Sequence, residues 1–142
     1  MSKTQITPYL FFGGRCQEAL DFYTAALGAQ VDSVTLFNQS PEPVPEGMLP
    51  EGFGNKIMHA AFRVGEATLF GGDGTQEGQH FSGFSLALIL QTEAEAACAF
   101  TALSEGGQVT MPLGKTFWSP CFGMVTDRFG IDWMVSLPID QA

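Results

Sequence analysis

Two histidines are the residues of this chain whose chemistry is easiest to define. His59 lies mid-strand, where its imidazole could accept a proton or donate a hydrogen bond to a ligand. The alternative is an imidazole that is hydrogen-bonded within the sheet or faces solvent. His80 lies in a polar, glycine-rich stretch, where solvent exposure is the simpler interpretation. Neither histidine has an acidic partner nearby in sequence, so this pair predicts no metal site and no cofactor.

The cysteines and the turn aspartates predict less chemistry. Cys16, Cys98 and Cys121 are odd in number and far apart, which is not typical of a disulfide framework. Cys121 follows Ser-Pro and has no cationic neighbour to lower its pKa, so we interpret it as inert. Asp73 and Asp127 adjoin glycine turns, where carboxylates usually stabilise the local backbone.

Aromatic side chains on or beside predicted strands form the larger group of candidates. A cavity lined by such rings would suit planar or apolar ligands, although ordinary core packing also accounts for many of them. Alternation along a strand separates Tyr9 and Phe11 from Leu10 and Phe12, but it does not say which pair faces a ligand. The candidate ligand-binding residues are Tyr9, Phe11, Phe37, Phe70, Phe117, Trp118 and Trp133.

The elements that would position these residues occur twice along the chain. Gln17–Val31 overlays Glu95–Val109 without a gap after a shift of 78 positions (95 − 17). Gly65 matches Gly130 after a shift of 65 (130 − 65), because the second half lacks an expansion of 13 residues (78 − 65). Two half-domains of this kind would cover each other's apolar faces, and their meeting surface is a natural place for a ligand.

Each half is predicted to run β-α-β-β-β, which gives an α+β fold of two modules with curved mixed sheets enclosing a cavity. We expect a single domain over 1–142, with modules at about 1–74 and 80–142 and with 39–55 as a proline-rich insertion in the first. The predicted elements of the first half are strand Pro8–Phe12, helix Cys16–Leu27 stopped by Gly28, and strands Gln30–Asn38, Lys56–Val64 and Ala67–Phe70. Those of the second are strand Phe84–Leu90, a helix capped by Thr92 and Glu95, and strands Gln108–Phe117, Phe122–Thr126 and Asp132–Leu137.

Composition excludes several classes of partner. The chain has 142 residues and a net charge of −9, with only six scattered basic residues, so neither nucleic acid nor an anionic membrane is an expected partner. The N-terminus has no signal-peptide pattern, and no apolar run reaches the length of a membrane span. We therefore expect a soluble, cytoplasmic protein.

Several strings resemble the vicinal oxygen chelate superfamily of glyoxalase I, the bleomycin-resistance proteins and the extradiol dioxygenases. They are the run 8–12, the helix ending F-Y-x-x-x-L-G before residue 29, Met58-His59-Ala60, Phe117-Trp118 with Gly123, and the run 127–133. Within the superfamily they resemble the PhnB-like branch, whose sequences carry the label 3-demethylubiquinone-9 3-methyltransferase-like. The resemblance covers essentially the whole chain and implies a homodimer.

The resemblance also implies a divalent metal held by His or Glu on the first and fourth strands of each half. Those strands contain no His and no Glu here, and Met134 stands where a chelating Glu would follow the last turn. We therefore predict no catalytic metal. The methyltransferase label gains no support either, since the glycine run 71–74 follows a strand but no helical pattern opens after it.

Our first hypothesis is a PhnB-like protein that binds a small molecule, aromatic or apolar, without a catalytic metal. The alternative is an enzyme. It would be a lyase, isomerase or dioxygenase with an unrecognised metal, a metal-free acid–base catalyst using His59, or a methyltransferase-like protein as the label suggests. A third hypothesis is a structural dimer with a filled cavity.

Overall fold

The computed structural model describes residues 4–42, 47–78 and 80–138. The chain divides into two compact units, Met1–Gln79 and His80–Ala142.

The first unit is a four-stranded mixed sheet with one helix. Its strand order is β1-β4-β3-β2, in which β1 runs parallel to β4 and the other pairs are antiparallel. Its elements are β1 (Tyr9–Phe11), α1 (Cys16–Leu27), β2 (Gln30–Leu36), β3 (Ile57–Val64) and β4 (Ala67–Gly72), with short 3-10 turns at Phe37–Gln39 and Phe53–Asn55.

The second unit repeats this plan. Its strand order is β5-β8-β7-β6, again with one parallel pair, between β5 and β8. Its elements are β5 (Leu86–Ile89), α2 (Glu93–Ser104), β6 (Gln108–Gly114), β7 (Phe122–Thr126) and β8 (Asp132–Ser136). The predicted β-α-β-β-β repeat is confirmed in both halves.

Helix α1 packs one face of the first sheet. Its Tyr23 stacks on Phe62 of β3, with ring centroids 6.2 Å apart and nearly parallel planes, and Phe12 lies 6.4 Å from the same tyrosine ring. Leu10 and Phe12 are almost fully buried on this side. Gly28 ends the helix in the left-handed conformation, as predicted, and its amide and the next one bond back to the last turn.

Helix α2 packs one face of the second sheet in the same manner. The predicted cap is present, since the Thr92 hydroxyl accepts the Glu95 amide at 3.1 Å. Gly123 of β7 allows the close approach, because a Cβ there would stand 2.7 Å from the Phe100 ring. Trp133 and Val135 of β8 are buried on this side.

Several strand ends of the sequence prediction need correction. β2 ends at Leu36 and the chain turns into a 3-10 helix, β5 covers Leu86–Ile89 instead of Phe84–Leu90, and β6 ends at Gly114, so these strands are shorter than predicted. Strand register adds a detail to the repeat, since Tyr9 pairs with Phe70 and Ala87 pairs with Met134. The fourth strands are therefore offset by 64 (134 − 70), one less than the shift of 65 that matches Gly65 to Gly130.

The predicted insertion 39–55 is a long connection between β2 and β3. Residues 43–46 of it lie outside the described ranges. Within those ranges, no helix has the length and hydropathy needed to cross a bilayer.

Candidate ligand-binding site

Four of the candidate side chains meet on the face of the first sheet opposite α1. They are Tyr9, Phe11, His59 and Phe70, which we call the Tyr9 cluster. Because Leu10 and Phe12 are buried against α1, strand alternation places Tyr9 and Phe11 on the other face. Alternation alone did not decide which pair faces away from the helix, and the structure shows that this pair is Tyr9 and Phe11.

Strand register brings these four residues together. Phe70 of β4 is the partner of Tyr9 on β1 and of Ala61 on β3, so all three share a face. His59, two residues before Ala61, projects from that same face. The Tyr9 ring centroid lies 4.8 Å from Phe11, 5.5 Å from His59 and 6.1 Å from Phe70, and the rings of His59 and Phe70 are 5.0 Å apart.

A hydrogen-bonded chain runs through the cluster. The Tyr9 hydroxyl donates to the carbonyl oxygen of Met58 at 3.0 Å, and Nδ1 of His59 lies 3.2 Å from the same hydroxyl. Tyr9 reaches β3 by passing over Gly72 of β4. A Cβ at Gly72 would stand 2.7 Å from the Met58 oxygen and 3.3 Å from the Tyr9 hydroxyl, so only glycine fits there without displacement.

The cluster combines partial burial with accessible ring surface. Tyr9 is 38% exposed and Phe11 is 44% exposed, so both rings retain area that a ligand could cover. Burial raises the pKa of the Tyr9 hydroxyl, and the Cys16 thiolate form would raise it further by repulsion. The hydroxyl is therefore neutral at physiological pH.

A buried carboxylate holds the elements that carry the cluster. Asp73, 1% exposed, accepts the backbone amides of Gly14 and Cys16 through Oδ1 and that of Ile57 through Oδ2, each at 2.8 Å. It thereby caps α1, whose own N-cap residue, Arg15, provides no side-chain bond. We predicted a local turn role for Asp73, and this prediction is wrong, because its partners are all distant in sequence.

Asp127 does have the predicted turn role. Its carboxylate accepts the amides of Phe129 and Ile131 within the β7–β8 turn, and it also accepts the indole N–H of Trp133 at 2.8 Å. Trp133 is 4% exposed on the α2 side of its sheet. This placement gives the indole a structural role rather than contact with a ligand on the opposite face.

The remaining aromatic candidates are not part of the Tyr9 cluster. Phe37 follows β2 and contacts Phe53, with centroids 6.5 Å apart. Phe117 and Trp118 belong to the second unit, form an edge-to-face pair at 4.7 Å, and are 97% and 41% exposed. The structure thus brings Tyr9, Phe11 and Phe70 together with His59, whereas Phe37 lies at the end of β2 and Phe117, Trp118 and Trp133 belong to the second unit. His80 is exposed, as expected.

The cysteines have the environments of unreactive thiols or of ordinary surface groups. Burial, and then the charge of Asp73, raise the pKa of the Cys16 thiol to about 12. Burial, and then Glu93, raise the pKa of Cys121. Cys98 is exposed on α2.

The residues on the first and fourth strands do not fit the metal that the resemblance implies. On the faces opposite the helices, the register-paired positions hold Tyr9 with Phe70 and Ala87 with Met134. None of these is a His or a carboxylate, and the raised pKa of Tyr9 disfavours the phenolate that could bind an ion. Among the described residues, no group of three or more His, Cys, Asp or Glu is arranged to hold a metal.

A second concavity of the first unit, of about 270 Å³, lies at the start of α1. It contains two cations, but each already has a partner: Lys56 donates to the Gly14 carbonyl and Arg15 pairs with Glu18. The Gly14 and Cys16 amides there are bound to Asp73. Two glutamates, Glu51 and Glu77, also line this concavity, and their negative charges disfavour an anionic ligand there.

Comparison with known proteins identifies the family. Residues 4–136 match the family described as 3-demethylubiquinone-9 3-methyltransferase. The chain belongs to this family. It is 33% identical over 145 aligned residues to protein YjdN of Escherichia coli K12, across 96% of this chain and 97% of that protein.

Two solved structures are similar over nearly their whole length. Protein PA1353 from Pseudomonas aeruginosa is 42% identical with a TM-score of 0.82, covering 97% of this chain and 100% of that one. A putative 3-demethylubiquinone-9 3-methyltransferase, PhnB protein, from Bacillus cereus is 27% identical with a TM-score of 0.76, covering 95% and 100%.

More distant structures show the same fold. A glyoxalase-related enzyme from Fulvimarina pelagi has a TM-score of 0.62 at 16% identity, covering 95% of this chain and 88% of that one. The fosfomycin resistance protein FosX from Mesorhizobium loti has a TM-score of 0.61 at 8% identity, covering 97% and 94%. The predicted membership of the PhnB-like branch, with a glyoxalase-like fold, is confirmed.

Proposed function

We propose that this protein binds a small molecule with a planar aromatic or apolar ring at the Tyr9 cluster, and that it does so without a catalytic metal. The observation that carries the proposal is the grouping of three aromatic rings around one imidazole on the face of the first unit's sheet opposite α1. Tyr9 and Phe11 keep about two-fifths of their surface accessible, which is unusual for neighbouring rings that could otherwise pack into a core.

The chemistry of the cluster supports a ligand with both apolar and polar parts. The rings of Tyr9 and Phe11 provide apolar area and the edge or face contacts that aromatic ligands prefer. His59 provides a polar group beside them, as binding sites commonly do to orient a ligand. The register-paired positions Tyr9 with Phe70 and Ala87 with Met134 contribute only apolar or phenolic groups, which supports binding by packing and hydrogen bonds rather than by coordination.

The activity in the family description has less support from the chain. A nucleoside methyl donor is commonly bound at a glycine-rich turn between a strand and a helix. Here the glycine run at 71–74 ends β4, and the chain proceeds to β5 without a helix between them in the described residues. We therefore favour ligand binding over methyl transfer.

The test uses 4-nitroanisole, a planar ring without an acidic proton, titrated by calorimetry. We expect saturable binding to the wild-type protein, and at 100 times the Kd a gain of about 2.7 kcal/mol in the free energy of unfolding. Phe11→Ala should weaken binding by about threefold to tenfold, because one ring contact contributes roughly 0.5–1.5 kcal/mol.

Phe22→Ala is the matched control, since it removes the same side chain from α1, on the other side of the same sheet. It should leave the affinity unchanged. Equal loss of binding in both variants, or no binding to the wild-type protein, would refute the proposed site. Elemental analysis of the purified protein tests the metal-free part, and a stoichiometric transition metal would contradict it.

A further inference from the structure

We infer that Tyr9 holds His59 in the tautomer that carries its proton on Nδ1, so that Nε2 is a proton acceptor and the site prefers ligands with an acidic O–H, such as phenols or enols. This inference rests on the proposed function, because it concerns the ligand of the same cluster. It specifies the class of that ligand by the acidic O–H proton that the ligand donates.

The argument begins with the hydrogens of Tyr9. A phenol has one hydrogen to donate, and the Tyr9 hydroxyl donates it to the Met58 carbonyl at 3.0 Å. The oxygen of Tyr9 can then only accept from Nδ1 of His59, 3.2 Å away. A neutral imidazole has one N–H, so a proton on Nδ1 leaves Nε2 with a free lone pair.

The surroundings make this arrangement stable. The Met58 carbonyl is an acceptor only, so it cannot reverse the direction of the chain. The raised pKa of Tyr9 keeps its proton in place. Within residues 4–42, 47–78 and 80–138, Nε2 of His59 has no hydrogen-bond partner, whereas Nδ1 does.

The ligand chemistry follows from the acceptor. A ligand whose ring covers Tyr9 or Phe11 can donate an O–H to Nε2, and transfer of that proton yields a ligand oxyanion and an imidazolium. No electrons are exchanged, and the imidazolium keeps its Nδ1–H on Tyr9. The same ligand with a methoxy group in place of the hydroxyl cannot donate. Discrimination of this kind is expected wherever a site is built around a specific hydrogen bond.

The ligand arm of the experiment compares 4-nitrophenol with 4-nitroanisole. The wild-type protein should bind the phenol about tenfold more tightly, the worth of one hydrogen bond to a well-placed acceptor. The bound phenol should show more of the visible absorbance of its ionised form than the free phenol does at the same pH. His59→Phe, which keeps a ring but has no acceptor, should abolish the preference, so that its affinities for the two compounds lie within about twofold of each other.

The second arm reads the tautomer directly and needs no ligand. Long-range proton–nitrogen NMR correlations distinguish the two tautomers, and the chain has only two histidines. We expect neutral His59 to be protonated at Nδ1 in the wild-type protein, and Tyr9→Phe to give a mixture of tautomers. In that variant the ratio of the affinity for the phenol to the affinity for 4-nitroanisole should fall, whereas a merely structural role of Tyr9 would weaken the binding of both compounds equally.

The outcomes separate the two claims. If 4-nitroanisole binds but the phenol has no advantage, or if the advantage survives His59→Phe, the inference is wrong and the proposed function stands. If neither compound binds, the proposed function fails, and the NMR spectrum still decides the tautomer. A proton found on Nε2 would overturn the inference whatever the ligands do.

Discussion

Replacing Asp73 should destabilise the protein more than replacing an exposed aspartate, because its buried carboxylate accepts three backbone amides. Hydrogen bonds to a charged group contribute roughly 1.5–3 kcal/mol each, so the three bonds together amount to roughly 4–9 kcal/mol. Removal of the carboxylate also removes its desolvation cost, and we expect a net loss of about 3–5 kcal/mol for Asp73→Ala. Asp73→Asn keeps one acceptor oxygen and turns an amide donor toward a backbone N–H, so its loss should be about 2–3 kcal/mol.

Urea denaturation followed by far-ultraviolet circular dichroism measures these losses, since both tryptophans lie in the second unit and would not report on the first. Asp21→Ala is the control, because Asp21 is an exposed residue of α1 whose carboxylate accepts a hydrogen bond from the Gln17 side chain. It should change the free energy of unfolding by less than about 0.5 kcal/mol. Amide exchange should accelerate at Gly14, Cys16 and Ile57 in the Asp73 variants. An Asp73→Ala protein as stable as the control, with those amides still protected, would refute this account of the carboxylate.

Three further predictions follow from the environments of single residues. The folded-state pKa of the Cys16 thiol is raised from 9.0 to about 12. The thiol is therefore neutral in both the folded and the unfolded state below pH 9, and between pH 9 and pH 12 it ionises only in the unfolded state. The free energy of unfolding should fall by about 1.4 kcal/mol per pH unit in that interval. Cys16→Ala should remove that component of the alkaline slope in pH-dependent denaturation, and an unchanged slope would contradict it. A thiol-reactive dye should label the native protein rapidly at Cys98 alone, and Cys98→Ser should abolish this phase while the buried Cys121 reacts only on unfolding. Gly72→Ala should displace the Tyr9 hydroxyl from the Met58 carbonyl and destabilise the fold by about 1–3 kcal/mol, and a crystal structure with that hydrogen bond intact would show that the contact is tolerated.

Much of the fold could be predicted from the sequence because its signals are local. Helical periodicity, the Gly28 stop and the Thr92 cap each depend on neighbours within one helical turn, and all three appear in the structure. Strand ends were less accurate: Phe37 fits a strand pattern, yet the chain turns there. Strand register depends on partners far along the chain, so the shift of 65 that matches Gly65 to Gly130 does not give the offset of 64 (134 − 70) between the fourth strands.

The candidate site was predictable only in part. Residue type singled out His59 and the aromatic residues, but their grouping depends on sheet order, which joins β1 to β4 and β4 to β3. The Met58 carbonyl and Gly72 carry no sequence signal that links them to Tyr9, which lies 49 (58 − 9) and 63 (72 − 9) positions away. The glycine run before Asp73 was visible, but a Gly-Asp-Gly string suggests a turn rather than a long-range anchor.

The two units show how one fold can stabilise the same helix in two ways. The Asp73 amide bonds to the Ile57 carbonyl, and the Leu137 amide bonds to that of Cys121, so Leu137 is the structural equivalent of Asp73. The second unit needs no carboxylate there, because Thr92 caps α2 locally. A local cap is also the simpler way to stabilise the start of a helix, since it requires no buried charge.

The Asp73 carboxylate of the first unit has a further effect that a local cap would lack. Through Oδ1 the Asp73 carboxylate holds the loop that follows β1, and through Oδ2 it holds Ile57 at the start of β3. Tyr9 lies on β1, before that loop, and His59 lies two residues after Ile57 on β3. The carboxylate therefore fixes the spacing on which the hydrogen bond between Tyr9 and His59 depends. A protein that only needed α1 capped would gain nothing from this arrangement. If the Tyr9–His59 pair is functional, the Asp73→Asn protein should therefore lose the Nδ1 tautomer of His59 under conditions where it is still folded, whereas Thr92→Ala, which weakens a cap in the other unit by about 1 kcal/mol, should not.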